Sequence, residues 1–466
     1  MKYGINDFEK QFAWGVSTAA YQIEGAHLKH GKGLSIWDEF TQKKGKIFNN
    51  QNANIACDYY QHYHQDLALM GALNIPNYRF SISWSRIFPE GTGAVNHPGI
   101  DFYKRVIDFC LELDIQPWIT LYHWDLPLEL ERRGGWANRD ILGWFEEYVS
   151  FCIRTFGDKV KYWMVLNEPM VFTGAGYFLG VHAPGKKGIS NFLQATHHAA
   201  LCQAEGARVI RSLDSSLKIG TTFSCSHVEP VSIHDADVLA ASRIDALLNR
   251  TFLEPLLGMG YPVNDLKILQ RLERYVKDGD EAKLAFDMDF IGLQNYTREV
   301  VAHSYFTPFV QAKIINAGKR NVERTLMDWE VYPESIYQML KKFGAYEKIK
   351  NIIVTENGAA FDDIVEDGVV NDVSRQIFLQ DHITQVLRAR EEGVNVNGYF
   401  VWTFTDNFEW AEGFHPRFGL VYVDFLTQKR IVKASGFWYS RFIKHYLSLT
   451  DISGRRERRF QLAYKK

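Results

Sequence analysis

The chain has 466 residues, of which 46% are hydrophobic and 23% charged, and 53 Lys and Arg against 55 Asp and Glu leave a formal net charge of −2. That balance excludes disordered, collagen-like and coiled-coil chains, and it provides no bulk field to draw the protein to nucleic acid or to an anionic membrane. No apolar run approaches the roughly 20 residues of a membrane-spanning helix.

Five scattered cysteines (Cys57, Cys110, Cys152, Cys202 and Cys225) include no Cys-x-x-Cys pair, which fits a reduced, cytoplasmic chain. Residues 1–10 carry Asp7 and Glu9 and have no apolar core, so no secretory leader is expected there. Nothing in the sequence sets an oligomeric state. In chain order, short apolar runs alternate with longer amphipathic stretches. The runs cover residues 12–17, 78–84, 116–124, 161–167, 218–224, 290–296, 351–355 and 398–405. Several are nearly continuous in apolar residues, such as Pro117-Trp118-Ile119-Thr120-Leu121-Tyr122 and Ile352-Ile353-Val354. That is the pattern of strands buried on both faces. Between them lie helical patterns, as in residues 100–113 with Phe102, Val106, Phe109 and Leu113 on one stripe.

Eight such repeats predict an α/β fold, a (β/α)8 barrel, with one catalytic domain over residues 1–466 and a basic tail from about 451. A doubly wound sheet is the alternative, but neither a Gly-x-Gly-x-x-Gly after the first strand nor a Walker-type loop is present. Residues 300–328 lack clear periodicity and are expected to form a long loop over one end. The tail, with Arg455-Arg456-Glu457-Arg458-Arg459, Lys465 and Lys466, reads as a solvated terminus.

In such a barrel the chemistry sits at the carboxyl ends of the strands. The first run leads to Tyr21, Gln22 and Glu24, and the second contains Arg79. The third ends in His123-Trp124-Asp125, the fourth in Asn167-Glu168-Pro169 and the sixth in Asn295-Tyr296. The seventh ends in Glu356-Asn357-Gly358, and the eighth in Trp402 followed by Asp406-Asn407-Phe408-Glu409-Trp410.

Glutamate is rare at a buried strand end unless it is paired or working. Glu168 and Glu356 come from the fourth and seventh strands, roughly opposite each other in an eight-stranded ring. Each alone could close a structural salt bridge. As a pair flanked by amides and aromatics they suit glycoside hydrolysis, in which one carboxyl protonates the leaving oxygen and the other meets the oxocarbenium-like carbon. Gln22, His123, Asn167 and Glu409 suit sugar hydroxyls, while Trp124, Trp402 and Trp410 offer flat apolar faces and an N–H donor. The pairs His62/His64 and His197/His198 lack a third ligand at recognisable spacing, and no Gly-x-Ser-x-Gly elbow is present, so neither a metal nor a cofactor is expected.

These segments resemble glycoside hydrolase family 1, the retaining β-glucosidases and their relatives, over about residues 12–443. The resemblance rests on Phe12-Ala13-Trp14-Gly15, Tyr21-Gln22-Ile23-Glu24-Gly25, Tyr78-Arg79-Phe80-Ser81-Ile82-Ser83-Trp84-Ser85-Arg86 and His123-Trp124-Asp125-Leu126-Pro127. Asn167-Glu168-Pro169, Tyr296-Thr297-Arg298, Trp329-Glu330-Val331-Tyr332-Pro333, Thr355-Glu356-Asn357-Gly358 and Asp406-Asn407-Phe408-Glu409-Trp410 follow in order.

The resemblance implies that Glu356 is the nucleophile and Glu168 the acid/base, about 5–5.5 Å apart as in retaining enzymes. Arg79 and the Tyr296 hydroxyl are expected to lower the pKa of Glu356, while the Glu356 charge and burial raise that of Glu168. It further implies that Asn167 holds the 2-hydroxyl and that Gln22, His123, Glu409 and Trp410 bind the non-reducing sugar over Trp402. Trp329 becomes the aglycone platform, and Trp124 and Phe418 join the substrate-binding set.

The implied substrate is a β-glucoside: an oligosaccharide or an aryl or alkyl glucoside. A β-galactosidase, β-fucosidase or transglycosylating relative stays open, as does, more distantly, a sugar-binding pseudoenzyme. Family members acting on thioglucosides replace the acid Glu, which is present here as Glu168. Those acting on 6-phospho-β-glycosides replace the Glu at 409 with a small polar residue, whereas Glu409 and Glu412 here would repel a phosphate. Two departures stand out: Met170 where Trp is frequent, and Gln294-Asn295 in place of Asn-Tyr.

Overall fold

Eight parallel strands close on themselves: β1 (Ala13–Ser17), β2 (Asn77–Ser81), β3 (Gln116–Tyr122), β4 (Tyr162–Asn167), β5 (Lys218–Ser224), β6 (Phe290–Gln294), β7 (Ile352–Asn357) and β8 (Val396–Trp402). Each pairs with its neighbours in sequence, and β1 closes the ring against β8 with Gly15 opposite Phe400. This computed structural model describes Phe8 and residues 12–449; the basic tail from about 451, and Asp7 and Glu9, lie outside the described residues.

All eight expected runs are strands, with shifted ends. The second stops at Ser81 because Trp84–Ile87 is already helical. The sixth stops at Gln294, where the Asn295 side chain turns away to donate to the Cys225 carbonyl and to Ser335 Oγ at 2.9 Å each. The seventh runs on to Asn357, so Glu356 lies within the strand itself. The helix expected at 100–113 spans His97–Glu112, with a proline in its first turn and Phe102 and Val106 buried.

The lower barrel is filled by Trp118, Met164, Phe290, Ile353 and Phe400 from five different strands. Two glycines make room for this floor. A Cβ on Gly220 would lie 2.3 Å from the Phe290 ring, and one on Gly15 would lie 2.5 Å from that of Phe400. Neither strand could carry a larger residue there without displacing an aromatic ring.

The loop expected over residues 300–328 is partly sheet. Arg298–His303 pairs in parallel with His227–Pro230 and antiparallel with Ala312–Ile314. Its pattern was illegible because only Val300 and Val301 of the first strand are buried, two adjacent residues instead of an alternation. Arg298 ties this small sheet to the barrel mouth. It donates to Glu229 at 2.6 Å and to both oxygens of Glu330 at 2.9 Å, beside Trp329.

Behind β8, Lys433 is fully buried and donates to Asp406 at 2.6 Å and Asp363 at 2.5 Å, and Arg417 donates to Asp406 at 2.7 Å. This cluster fixes the start of the segment that carries Glu409 and Trp410. Asp406 is thus a structural residue of the strand-end set. So is Glu24, which is held by Arg86 at 2.8 Å and the Tyr103 hydroxyl at 2.6 Å.

Candidate active site

A polar layer lies directly on the apolar floor. Arg79, fully buried on β2, rests its Nε against Met164 Sδ at 3.3 Å and donates to Thr120 Oγ1 at 3.1 Å. Its guanidinium then forks. Nη1 donates to Glu356 Oε1 and Nη2 to Asn167 Oδ1, so one planar cation joins the ends of β4 and β7. Gln294 Nε2, at the end of β6, bridges the same two acceptors at 2.7 and 2.8 Å. The Tyr296 hydroxyl donates to Glu356 Oε2 at 2.6 Å. Glu356 thereby receives three donors, one of them a cation, and its two oxygens are held in one orientation.

The same network orients Asn167 and His123. Asn167 Oδ1 accepts from Arg79, Gln294 and Thr222 Oγ1, so its amide nitrogen must face His123 Nε2 at 3.1 Å. His123 Nε2 is then an acceptor and the ring proton sits on Nδ1. Burial, with the Arg79 charge, holds the His123 pKa well below its ordinary value, so the ring is neutral.

Glu168 contrasts with Glu356. It follows β4 in a left-handed conformation (φ 46°, ψ 63°), with its N–H donating to the Thr222 carbonyl at 2.9 Å, just before the helix Pro169–Thr173. No cation pairs with its carboxyl among the described residues. Trp124 (φ 75°) and Trp410 (φ 47°) share the same sparsely populated region. Such backbone is costly for a residue with a Cβ, and here it turns three side chains into one cavity.

The electrostatics separate the two glutamates. Burial, then the neighbouring Glu356 charge, raises the pKa of Glu168 well above the ordinary carboxyl range. Burial also raises that of Glu356, but less, because the Arg79 charge and the Tyr296 hydroxyl oppose it. This corrects the expectation of a lowered Glu356. The pull of Arg79 and Tyr296 is present, but desolvation outweighs it. The order needed for chemistry remains, with Glu356 ionising before Glu168. Glu409 is pushed up to about 8 by burial and by the Glu356 charge, against the hydrogen bond from Gln22.

These groups surround a cavity of about 270 Å³ lined by His123, Trp124, Glu168, Tyr296, Trp329 and Glu356, with Trp402, Glu409, Trp410 and Phe418 completing its wall. Arg79, Asn167 and Gln22 stand one layer behind. Gln22 Nε2 reaches the Phe408 carbonyl at 3.0 Å and Glu409 Oε2 at 3.2 Å. Buried Gln22 Oε1 and His123 Nδ1 have no protein partner. Buried polar atoms are rarely left so, and a polyhydroxylated ligand would satisfy both. Trp410 packs on Trp124 (ring centroids 4.5 Å apart) and Trp37 (4.7 Å), with Tyr21 parallel to it at 6.0 Å. Tyr296, Trp329 and Phe418 form the opposite aromatic wall.

The sequence profile of glycosyl hydrolase family 1 matches residues 5–446. The chain belongs to that family. It is 44% identical over 450 residues to a 1,4-beta-D-glucan glucohydrolase of Thermotoga neapolitana, covering 96% of this chain and 100% of that one. It is 41% identical to beta-glucosidase A of Acetivibrio thermocellus over 94% and 98% of the two chains. The fold superposes with a TM-score of 0.91 on the family 1 β-glucosidase of Thermotoga maritima at 43% identity, covering 94% and 98% of the two chains, and equally well on a complex of that β-glucosidase with deoxynojirimycin.

Within this family 1 barrel, the thirteen residues singled out from the sequence converge on one place, either lining the cavity or bonded to residues that do. Reading the sequence missed Gln294 as a contact of Glu356, giving the strand end instead to Asn295, which faces outward. The period-2 alternation from Tyr296 carried the signal, since residues 294 and 296 share a face. His182 was also missed. It lines the cavity, with ring centroids 5.3 Å from Trp37 and 5.7 Å from Trp124. It comes from a loop after a π-helical turn and carried no motif.

Proposed function

We infer that this family 1 enzyme is a retaining β-glucosidase that releases terminal β-glucosyl residues from oligosaccharides and from aryl or alkyl glucosides by double displacement. The observation that carries this reading is the unequal treatment of two glutamates at one cavity: Glu356 is held by Arg79, Gln294 and Tyr296, and Glu168 is left without a cation.

In the first step the Glu168 proton passes to the glycosidic oxygen as the C1–O bond breaks, and a Glu356 oxygen bonds to C1. The donors on Glu356 keep it ionised and aimed, and they also stabilise it as a leaving group in the second step. Once Glu356 is esterified its charge is gone, so the carboxyl of Glu168 is free to ionise. Glu168 then takes a proton from water as the water oxygen attacks C1 from the face the aglycone left. Two inversions give retention. Asn167 is assigned to the 2-hydroxyl, and Gln22, His123, Glu409 and Trp410 to the remaining hydroxyls. Trp402 serves as the stacking face, with Trp124, Trp329 and Phe418 lining the route for the aglycone.

Glu409 and Glu412 both face the cavity and, among the described residues, no Lys or Arg lines it, so a phosphate would find no cation there, which favours an unphosphorylated sugar. Among the described residues no helix is long and apolar enough to cross a membrane. We place the enzyme in the cytoplasm, in keeping with five unpaired, buried cysteines.

The test is product release from p-nitrophenyl β-glucoside, β-galactoside and β-glucoside 6-phosphate with a single preparation. Turnover of the glucoside above the galactoside, with none of the phosphate, is expected. Turnover of the phosphate alone would overturn the reading of Glu409, and silence on all three in folded protein would overturn the assignment as a hydrolase.

A further inference from the structure

Beside the catalytic cavity lies a second chamber of about 580 Å³ whose wall is almost wholly apolar. The two share Val171, Ser224, Cys225, Ser226 and Glu299, so they adjoin along a common boundary on the Glu168 side. Three elements supply most of the wall: the helix Pro169–Thr173 with the π-helical turn Gly174–Leu179, the start of the long helix Ile189–Leu213, and the π-helical turn Ala246–Arg250. A loop containing Pro308 and Phe309 closes it, held by Arg243 Nε on the Val310 carbonyl at 2.5 Å.

These elements bury a satellite core around Phe192, Ile268 and Leu269, yet Met170, Phe178 and Leu247 remain only half-buried where they meet the chamber. Half-covered apolar side chains around a void of this size mark a surface suited to an apolar occupant. At the junction, burial pushes the Glu299 carboxyl up to about 7, against the pull of Arg320. In slightly acid solution the passage therefore carries no full charge, which eases the entry of hydrocarbon. Met170, one of the departures in the sequence, stands at the start of this wall with a flexible thioether side chain.

We propose that the chamber is an apolar extension of the leaving-group site that takes an alkyl or comparably apolar aglycone, making long-chain β-glucosides preferred substrates. This rests on the β-glucosidase reading above. The bound aglycone would pass from the glycosidic oxygen beside Glu168 through the shared junction, burying methylene groups against Leu247, Phe178 and Phe309.

The experiment measures kcat/KM for methyl, butyl and octyl β-glucoside below their micelle concentrations, with cellobiose and p-nitrophenyl β-glucoside as references. A rise of at least about tenfold from butyl to octyl is expected, carried mainly by KM, since each buried methylene adds to binding. Leu247→Asp should abolish that rise while leaving methyl glucoside and cellobiose within about twofold. Phe309→Ser, in an exposed loop and not itself a member of the satellite core, tests the same wall with less disturbance to folding.

A flat chain-length series with normal turnover of the p-nitrophenyl glucoside would overturn the chamber proposal and leave the enzyme assignment standing. A rise untouched by both variants would overturn it as well, by showing that the chain binds elsewhere. No turnover of any glucoside would overturn the assignment itself.

Discussion

The floor and the polar layer of this barrel occupy the same strands, in direct contact, and are built on opposite principles. The floor of Trp118, Met164, Phe290, Ile353 and Phe400 is dry, apolar and fitted around glycines. The layer resting on it holds a fully buried guanidinium, two amides and a carboxylate whose own burial raises its pKa. A stability-driven design would continue the floor upward, because buried ion pairs seldom outperform well-packed hydrocarbon. The contrast teaches that the polar layer is retained for what it does to a substrate: it fixes donors around Glu356 before any sugar arrives, so little reorganisation is left for the reaction. Substitutions in the two layers should therefore fail in different ways.

The largest expected effect is at Glu356. Glu356→Gln keeps the shape and removes the attacking oxygen, and kcat should fall on the order of 10⁵-fold, as for loss of the nucleophile in other covalent mechanisms. Near-ultraviolet circular dichroism should show an unchanged fold. Retention of even a hundredth of the wild-type rate would break the contrast, because the layer would then be mere packing. Glu168→Gln comes next. The rate with cellobiose should drop by about 10²–10⁴-fold, whereas a dinitrophenyl glucoside, whose leaving group needs no proton, should form the glycosyl-enzyme nearly as fast as before. Equal losses on both substrates would remove the acid role from Glu168.

The floor should respond through stability instead. Phe400 fills the barrel beside Gly15 and touches Trp118, with ring centroids 5.1 Å apart. Phe400→Ala should cost about 3–5 kcal/mol of unfolding free energy, measured by denaturant titration, with kcat near 25 °C kept within a few-fold. A collapse of kcat in a stably folded Phe400→Ala protein would show that the two layers are mechanically coupled. Gln294→Ala is the milder counterpart in the polar layer. It removes one donor from Glu356 and one from Asn167, and a loss of about 10–100-fold in kcat is expected with little change in KM.

How far the sequence revealed each layer follows from what each needs. Eight short apolar runs, several of them nearly continuous, announced the barrel, because strands buried on both faces carry little alternation. Glu168 and Glu356 stood out because a carboxylate at a buried strand end contradicts its surroundings. Gln294 did not, since an amide at a strand end is unremarkable until the strand's exact terminus fixes which neighbour points inward. His182 was invisible because its loop has no period, and Glu299 because its strand shows no alternation. The small sheet around Arg298 was hidden in the same way, by a strand whose buried residues are adjacent. That burial outweighs the pull of Arg79 on Glu356 also lay beyond the sequence, because only the structure sets that charge against complete burial.

The smallest effect predicted tests the electrostatic half of the contrast directly. The pKa of Glu168 is raised first by burial and then by the Glu356 charge. Glu356→Gln deletes that negative charge and leaves the burial, so the Glu168 carboxyl should ionise more readily and its titration should move to lower pH while staying above the ordinary value. ¹³C-labelled glutamate followed by NMR across pH reads this without turnover, which the variant lacks. Wild type and variant must be compared as pairs of macroscopic titrations, because the two carboxyls are coupled while both can ionise. Phe400→Ala supplies the control: it perturbs the floor, carries no charge, and should leave the Glu168 titration where it was. If instead Glu356→Gln left Glu168 unmoved, burial alone would set its proton affinity. Esterification of Glu356 would then not release Glu168 to act as base, and the second half of the double displacement would need another group to activate water.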